Sequence, residues 1–156
     1  MKEEAIFAAG CFWGVESSFR SQSGVLETEV GYIGGNTASP TYEQVCKGTT
    51  RHAEAVRIEF DNEKISYRDL LTLFWEIHDP TTMNRQGPDI GTQYRSAIFC
   101  LNSSQLEQAK TYMMALEEDG IYPAPIVTLI QMAQTFYKAE EYHQQYHDKN
   151  GRLKCR

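Results

Sequence analysis

The sequence predicts an α+β domain in which helices pack on one face of a mixed β-sheet. Three observations carry this. Apolar residues recur at strand spacing and at helix spacing in alternation along the chain, the pattern of a sheet covered by helices. The segment 52–60, HAEAVRIEF, alternates cleanly, with Val56, Ile58 and Phe60 on one face and Arg57 and Glu59 on the other. No long helix separates it from the extended segment at 25–35, so the two do not form the crossover unit of a purely parallel, doubly wound sheet.

The elements follow in order. The apolar run AIFAA (5–9) predicts a first strand ended by Gly10, and Phe12, Val15 and Phe19 at helical spacing predict a helix from residue 12. VLETEVGYIGG (25–35) reads as an extended segment closing in a glycine turn, and TYEQVCKG (41–48) as a short helix capped by Gly48. After the 52–60 strand, Ser66 as cap, Asp69 three residues on and Ile65 with Leu70 as a staple predict a helix. It carries Leu71, Phe74 and Ile77 and runs to about His78, before Pro80. SAIFCL (96–101) predicts a strand, and SSQLEQAKTYMMALEE (103–118) a helix burying Leu106, Ala109, Met113 and Leu116. APIVTLIQM (124–132) predicts another strand and KAEEYHQQYHDK (138–149) a last helix, followed by an expected mobile tail at 150–156.

With 156 residues and 41% hydrophobic content, the chain suits a single domain over 1–156 that buries roughly 70% of its unfolded surface. A net charge of -6 and the lack of a basic stripe disfavour nucleic acid as a partner. The acidic start MKEEAIFAAG holds no signal core, and no apolar run approaches the ~20 residues of a membrane span, so a soluble, cytoplasmic protein is expected. Cysteines at 11, 46, 100 and 155 lack the short paired spacings of zinc sites and dithiol motifs, and no metal is expected.

Cys11 stands where a strand gives way to a helix. There the unpaired N–H groups and the positive end of the helix dipole stabilise a thiolate, making a nucleophile; a free cysteine buried as a small hydrophobe fits the same position. Trp13 lies off the Phe12–Val15–Phe19 stripe, either as a pocket wall or packed by a neighbouring segment. By the alternation of its strand Glu54 faces inward, where burial would raise its pKa and make it a general acid, unless the strand begins only at Ala55. The loop HDPTTMNRQGPDIGTQYRS (78–96) is too long for a plain connection, with Asp89 and Tyr94 its foremost polar candidates. Cys155, in a polar tail, is either a resolving thiol for Cys11 or an inconsequential terminal cysteine. Cys46 and Cys100 sit in apolar contexts that predict burial, and the histidines have no metal-ligand spacing.

Four blocks together, GCFWG (10–14), PTYEQVC (40–46), HAEAV (52–56) and NRQGPDIGTQYRS (84–96), resemble the motifs of the peptide methionine sulfoxide reductase A family, and the similarity covers nearly the whole chain. The resemblance implies a two-layer α+β sandwich related to the ferredoxin-like arrangement. It implies reduction of the S epimer of methionine sulfoxide, free or in proteins, by Cys11 as nucleophile and Glu54 as proton donor. Phe12 and Trp13 would wall the pocket for the substrate methyl, and Tyr42, Asp89 and Tyr94 would hydrogen-bond the sulfoxide oxygen or a water beside it. Cys155 would resolve the Cys11 sulfenic acid as a disulfide, and thioredoxin, or dithiothreitol in vitro, would reduce it; no bound cofactor is implied, and a monomer is expected. Arg51 stands where the family usually has glycine before HAE. Two other classes fit the thiols less fully: a hydrolase with Cys11 activated by histidine, and a metal or redox-sensing module built from scattered Cys and His.

Overall fold

The computed structural model describes residues 1–150. In chain order it runs β1 (Lys2–Ala9), α1 (Phe12–Arg20), β2 (Val25–Ile33), α2 (Tyr42–Cys46), β3 (Ala53–Asp61) and α3 (Tyr67–Glu76). It continues through β4 (Arg85–Gln86), β5 (Asp89–Ile90), a 3-10 turn at Thr92–Tyr94, β6 (Ser96–Cys100), α4 (Ser103–Asp119), β7 (Leu129–Met132), β8 (Tyr137–Lys138), a second 3-10 turn at Glu141–His143 and α5 (Tyr146–Asn150). Among these residues a six-stranded sheet has the order β7-β6-β1-β3-β2-β8, antiparallel except for the β6–β7 pair. β4 and β5 form a small separate hairpin. No helix among the described residues is long and apolar enough to cross a membrane.

The main core lies between the sheet and the helices α1, α3 and α4. Phe7, Val30, Tyr32, Val56, Ile58 and Phe60 point from the strands toward Phe12, Val15 and Phe19 of α1 and Leu70, Leu71 and Phe74 of α3. Phe7 anchors the layer, its ring 5.2 Å from Phe19 and 5.4 Å from Phe74. On the opposite face Ile6, Ala8, Ile33, Ala55 and Phe99 form a smaller cluster, covered by Ala133 and Phe136 rather than by a helix. The expected mixed sheet with helices on one face is the observed architecture.

The predicted caps are present. Ser66 accepts from the Asp69 amide while the Asp69 carboxylate accepts from the Ser66 amide, the reciprocal box that starts α3. The helix ends at Glu76, earlier than expected, where the His78 ring donates from Nδ1 to the Phe74 carbonyl at 2.7 Å.

Three expectations are corrected. α4 buries Ala109 fully but leaves Leu106, Met113 and Leu116 half-buried. Its other buried residue is Gln105, whose side chain donates to the Glu4 carbonyl at 2.7 Å and accepts from the Leu101 amide at 3.0 Å. The strand expected over 124–132 shrinks to Leu129–Met132, because Pro125 offers no N–H and the Val127 amide donates instead to the Pro80 carbonyl at 2.8 Å. The last helix does not form over 138–149. The chain pairs briefly as β8, makes a 3-10 turn, and passes through Gln145 at φ 54° before α5. Here tertiary hydrogen bonds override helical spacing: the Gln144 side chain accepts from the Val30 amide and donates to the Val30 and Ala139 carbonyls at 2.9 to 3.0 Å. The expected tail, with Cys155, lies outside the described residues except at Asn150.

Candidate active site

The site is built where β1 turns into α1. Gly10 has φ +104°, and a Cβ there would stand 2.9 Å from Cγ of Gln86, so both conformation and space call for glycine. Gln86 cannot yield easily, since its amide is tied at both ends to the Asp79 backbone at 2.8 Å. The turn places Cys11 at the N-cap of α1, half-buried, at the positive end of the helix dipole. Cys11 is disulfide-bonded, whereas Cys46 and Cys100 carry free thiols.

Glu54 reaches this helix start from β3. It faces inward, only 1% exposed, opposite Tyr32 in the sheet register. Its Oε1 accepts from the Phe12 amide at 3.2 Å, the first N–H of α1, and its Oε2 accepts from Gln93 Nε2 at 2.8 Å. Burial pushes its pKa up to about 7, against the pull of the Gln93 and Phe12 bonds, and the Asp89 carboxylate pushes it further. Of the two strand boundaries compatible with the sequence, the inward one is realised. Arg51 exerts no comparable influence: it is exposed, and its φ of +59° is the left-handed conformation that explains a preference for glycine there.

Around Glu54 stand phenols. Tyr42, at the start of α2, and Tyr94, in the 3-10 turn after Gly91, are half-buried. Both have pKa values raised first by burial and then by the Glu54 charge, so they remain hydrogen-bond donors through neutral pH. Asp89 is half-buried on β5 and acts electrostatically on both Glu54 and Tyr94. Cys46 is exposed rather than buried, because Val45 takes the inward position of the five-residue α2. Its Sγ accepts from Gln93 Nε2 at 3.5 Å.

The far wall comes from the C-terminal segment. Trp13 is half-buried, its indole N–H donating to Nδ1 of His143 at 2.9 Å and its ring stacked on Tyr146 at 3.7 Å. Phe12 is buried, with Tyr32 and His143 as ring neighbours at 5.7 and 5.2 Å. Accepting the Trp13 hydrogen bond requires an unprotonated Nδ1, and burial lowers the His143 pKa in the same direction, outweighing the opposing Glu140 charge. Glu140 fastens this wall to the phenol side, accepting from the Tyr32 hydroxyl and the Tyr42 amide at 2.8 Å. Glu16, also buried, accepts from the Gln145 amide and the Thr28 hydroxyl at 2.7 Å.

The structure thus gathers Phe12, Trp13, Tyr42, Glu54, Asp89 and Tyr94 around the Cys11 turn, while Cys155 lies outside the described residues. Gln93, His143, Tyr146 and Glu140 were not singled out by the sequence. Gln93 stands inside one of the four motif blocks, but nothing in a glutamine between Thr92 and Tyr94 announces a carboxylate partner. His143 and Tyr146 are hidden in a stretch that reads as an amphipathic helix.

Three of the four histidines are committed to partners other than Cys11. His52 accepts from the Gly35 amide at 3.0 Å and donates to the Thr37 carbonyl at 2.7 Å, His78 bonds Phe74 and Ser96, and His143 bonds Trp13. Among the described residues, no three His, Cys, Asp or Glu side chains are grouped to hold a metal ion.

Comparison with known proteins points one way. The family model described as peptide methionine sulfoxide reductase matches residues 3–156. A Methanothermobacter thermautotrophicus protein named peptide methionine sulfoxide reductase MsrA is 56% identical over 153 residues, 98% of this chain and 90% of its own. The crystal structure of Mxr1 from Saccharomyces cerevisiae in reduced form matches with a TM-score of 0.89 at 39% identity, covering 99% of this chain and 88% of that one. Mxr1 in complex with Trx2 matches with a TM-score of 0.63 at 26% identity, over 93% and 84%.

Proposed function

This chain belongs to the peptide methionine sulfoxide reductase family and is an oxidoreductase, and we propose that it reduces the S epimer of methionine sulfoxide, free or in proteins, with Cys11 and Glu54 performing the chemical step. The observation that carries this reading is the link between the two: a carboxyl buried at the first amide of the helix that Cys11 caps. With a pKa pushed up to about 7, Glu54 keeps a substantial protonated fraction near neutral pH and is strong enough as an acid to release that proton.

The step is an oxygen transfer. The Cys11 thiolate attacks the sulfoxide sulfur, negative charge gathers on the sulfoxide oxygen, and Glu54 supplies a proton to it directly or through water. Tyr42 and Tyr94 donate to the same oxygen, with Asp89 ordering them or a water beside it. The sulfur–sulfur bond formed in the attack then breaks as oxygen bonds to the Cys11 sulfur, either carried over from the substrate or supplied by a water while the protonated substrate oxygen leaves as water. Cys11 thereby becomes a sulfenic acid and methionine departs. Trp13, held by His143 and Tyr146, offers a flat apolar wall for the substrate methyl, and Phe12 backs it. Cys155 then attacks the sulfenic sulfur, releasing water and forming a disulfide, and a thioredoxin dithiol reduces this by exchange. The complex of the yeast relative with Trx2 supports a thioredoxin as reductant. Such a cycle suits a monomer in the cytoplasm.

Turnover of a peptide with the separated S and R epimers of methionine sulfoxide tests the reading. The S epimer is expected to be reduced with dithiothreitol or thioredoxin, the R epimer to be inert, and Cys11→Ser to abolish the reaction. Cys155→Ser is expected to retain one turnover and to fail to cycle with thioredoxin. Equal use of both epimers would overturn the stereochemical assignment, and undiminished turnover in Cys11→Ser the nucleophile.

A further inference from the structure

We propose that Gln93 is a positioning residue for the reductase step: its buried side-chain amide pins the second oxygen of the Glu54 carboxyl and takes up the charge left there when the proton departs. This rests on the reading of Glu54 as the acid.

The geometry is specific. Gln93 is 4% exposed and sits in the 3-10 turn at Thr92–Tyr94, between the hairpin that carries Asp89 and strand β6. Its Nε2 meets two acceptors, Oε2 of Glu54 at 2.8 Å and Sγ of Cys46 at 3.5 Å, which sets the orientation of the amide and gives each of its hydrogens a partner. The remaining bond to Glu54 is the longer one from the Phe12 amide, at 3.2 Å. Of the two donors, the one supplied by Gln93 is the shorter and comes from a side chain, so substitution can remove it without breaking the helix.

A hydrogen bond donated to a carboxyl favours the ionised form over the protonated one. Gln93 therefore lowers the affinity of Glu54 for its proton, opposing the effect of burial, and stabilises the carboxylate that appears as the sulfoxide oxygen is protonated. Among the described residues, the groups whose charges act with that of Glu54 are the Asp89 carboxylate and the Tyr32, Tyr42 and Tyr94 phenols, and in the reduced protein the Cys11 thiol stands at the same helix start. The phenols are all pushed upward by burial, so they stay neutral where Glu54 titrates. Cys46 is the remaining ionisable neighbour of the Gln93 amide.

The test is an infrared pH titration of the Glu54 carboxyl in the full chain, with single-turnover rates measured over the same range. A band absent from Glu54→Gln identifies the carboxyl. In Gln93→Met, which keeps the length and removes the donor, the midpoint is expected to rise by about one pH unit, a tenfold gain in proton affinity. The alkaline limb of the rate should move with it, and the plateau rate should fall about tenfold. Cys46→Ser should leave the midpoint in place, which assigns it to the carboxyl rather than the thiol. An unmoved midpoint in a folded Gln93→Met protein would overturn the proposal; if that variant does not fold, Gln93→Asn, which withdraws the amide by one methylene, takes its place under the same criterion. A shifted infrared midpoint with an unshifted rate limb would leave Gln93 as the partner of Glu54 but remove Glu54 as the acid.

Discussion

The two walls of the site are made in different ways. On one side Cys11 and Glu54 are delivered by β1, α1 and β3, elements held by backbone ladders and by an aromatic core around Phe7. On the other, His143 and Tyr146 belong to a segment with little regular structure, pegged by side chains: Gln144 to the Val30 backbone, Glu16 to the Gln145 amide, Glu140 to the Tyr42 amide. The proposed reacting pair thus stands on elements held by the sheet, and the wall proposed to receive the substrate is fastened by a few polar bonds. That division predicts that chemistry and substrate fit can be perturbed separately.

The largest expected effect comes from breaking the second wall. Gln144→Ala removes three buried hydrogen bonds and leaves the Val30 amide without its partner, while the Val30 carbonyl keeps the Ala139 amide, and should destabilise the protein by about 3 kcal/mol. The melting temperature should drop by roughly 6 °C or more. KM should rise while the single-turnover rate at saturating substrate holds; a matching fall in that rate with KM unchanged would show that the two walls are not separable.

The first wall can be probed through its proton. The Glu54 pKa is raised in the folded protein, so the folded state binds the extra proton, and this stabilising contribution is complete below the unfolded value near 4.5 and is lost as pH rises through about 7. Relative to Glu54→Gln, the parent protein should therefore lose stability on the order of 2 kcal/mol between pH 5 and pH 8, measured by denaturant unfolding. A flat difference across that range would mean that Glu54 titrates as an ordinary surface carboxyl.

A smaller effect is expected at the seam. His143→Phe keeps a ring but removes the acceptor for the Trp13 indole, and should raise KM about five- to tenfold, with little change in melting temperature. Smallest of all is Arg51→Gly, which relieves a left-handed backbone and is expected to stabilise by up to about 1 kcal/mol without altering activity. A loss of activity there would assign the Arg51 charge a role that its exposed position does not suggest.

The same contrast explains what could be read in advance. The 52–60 strand announced itself by alternation, and parity alone carried Glu54 to the inner face, because successive side chains of a strand must point to opposite sides. Ser66 and Asp69 announced α3 because a capping box is a local bond. Gly10 and Cys11 stood out for a similar reason, since a turn from strand to helix is written in adjacent residues. KAEEYHQQYHDK misled because Tyr142 and Tyr146, four apart, carry helical spacing, while Gln144 between them bonds the Val30 backbone and Tyr146 stacks on Trp13, both far away along the chain. Cys46 misled because an apolar neighbour, Val45, occupied the buried place.

By itself, then, the sequence determined strands β1, β2, β3 and β6, the helices α1 to α4, the cysteine at a helix start and the inward carboxylate, all consequences of covalent geometry and short-range periodicity. Tertiary structure alone decided that Gln93 would meet Glu54, that His143 would hold Trp13, and that a would-be helix would become a pegged segment. Those contacts join residues 39 and 130 positions apart. Their free energy depends on burial and on which polar group happens to face which, quantities that exist only once the chain has closed on itself.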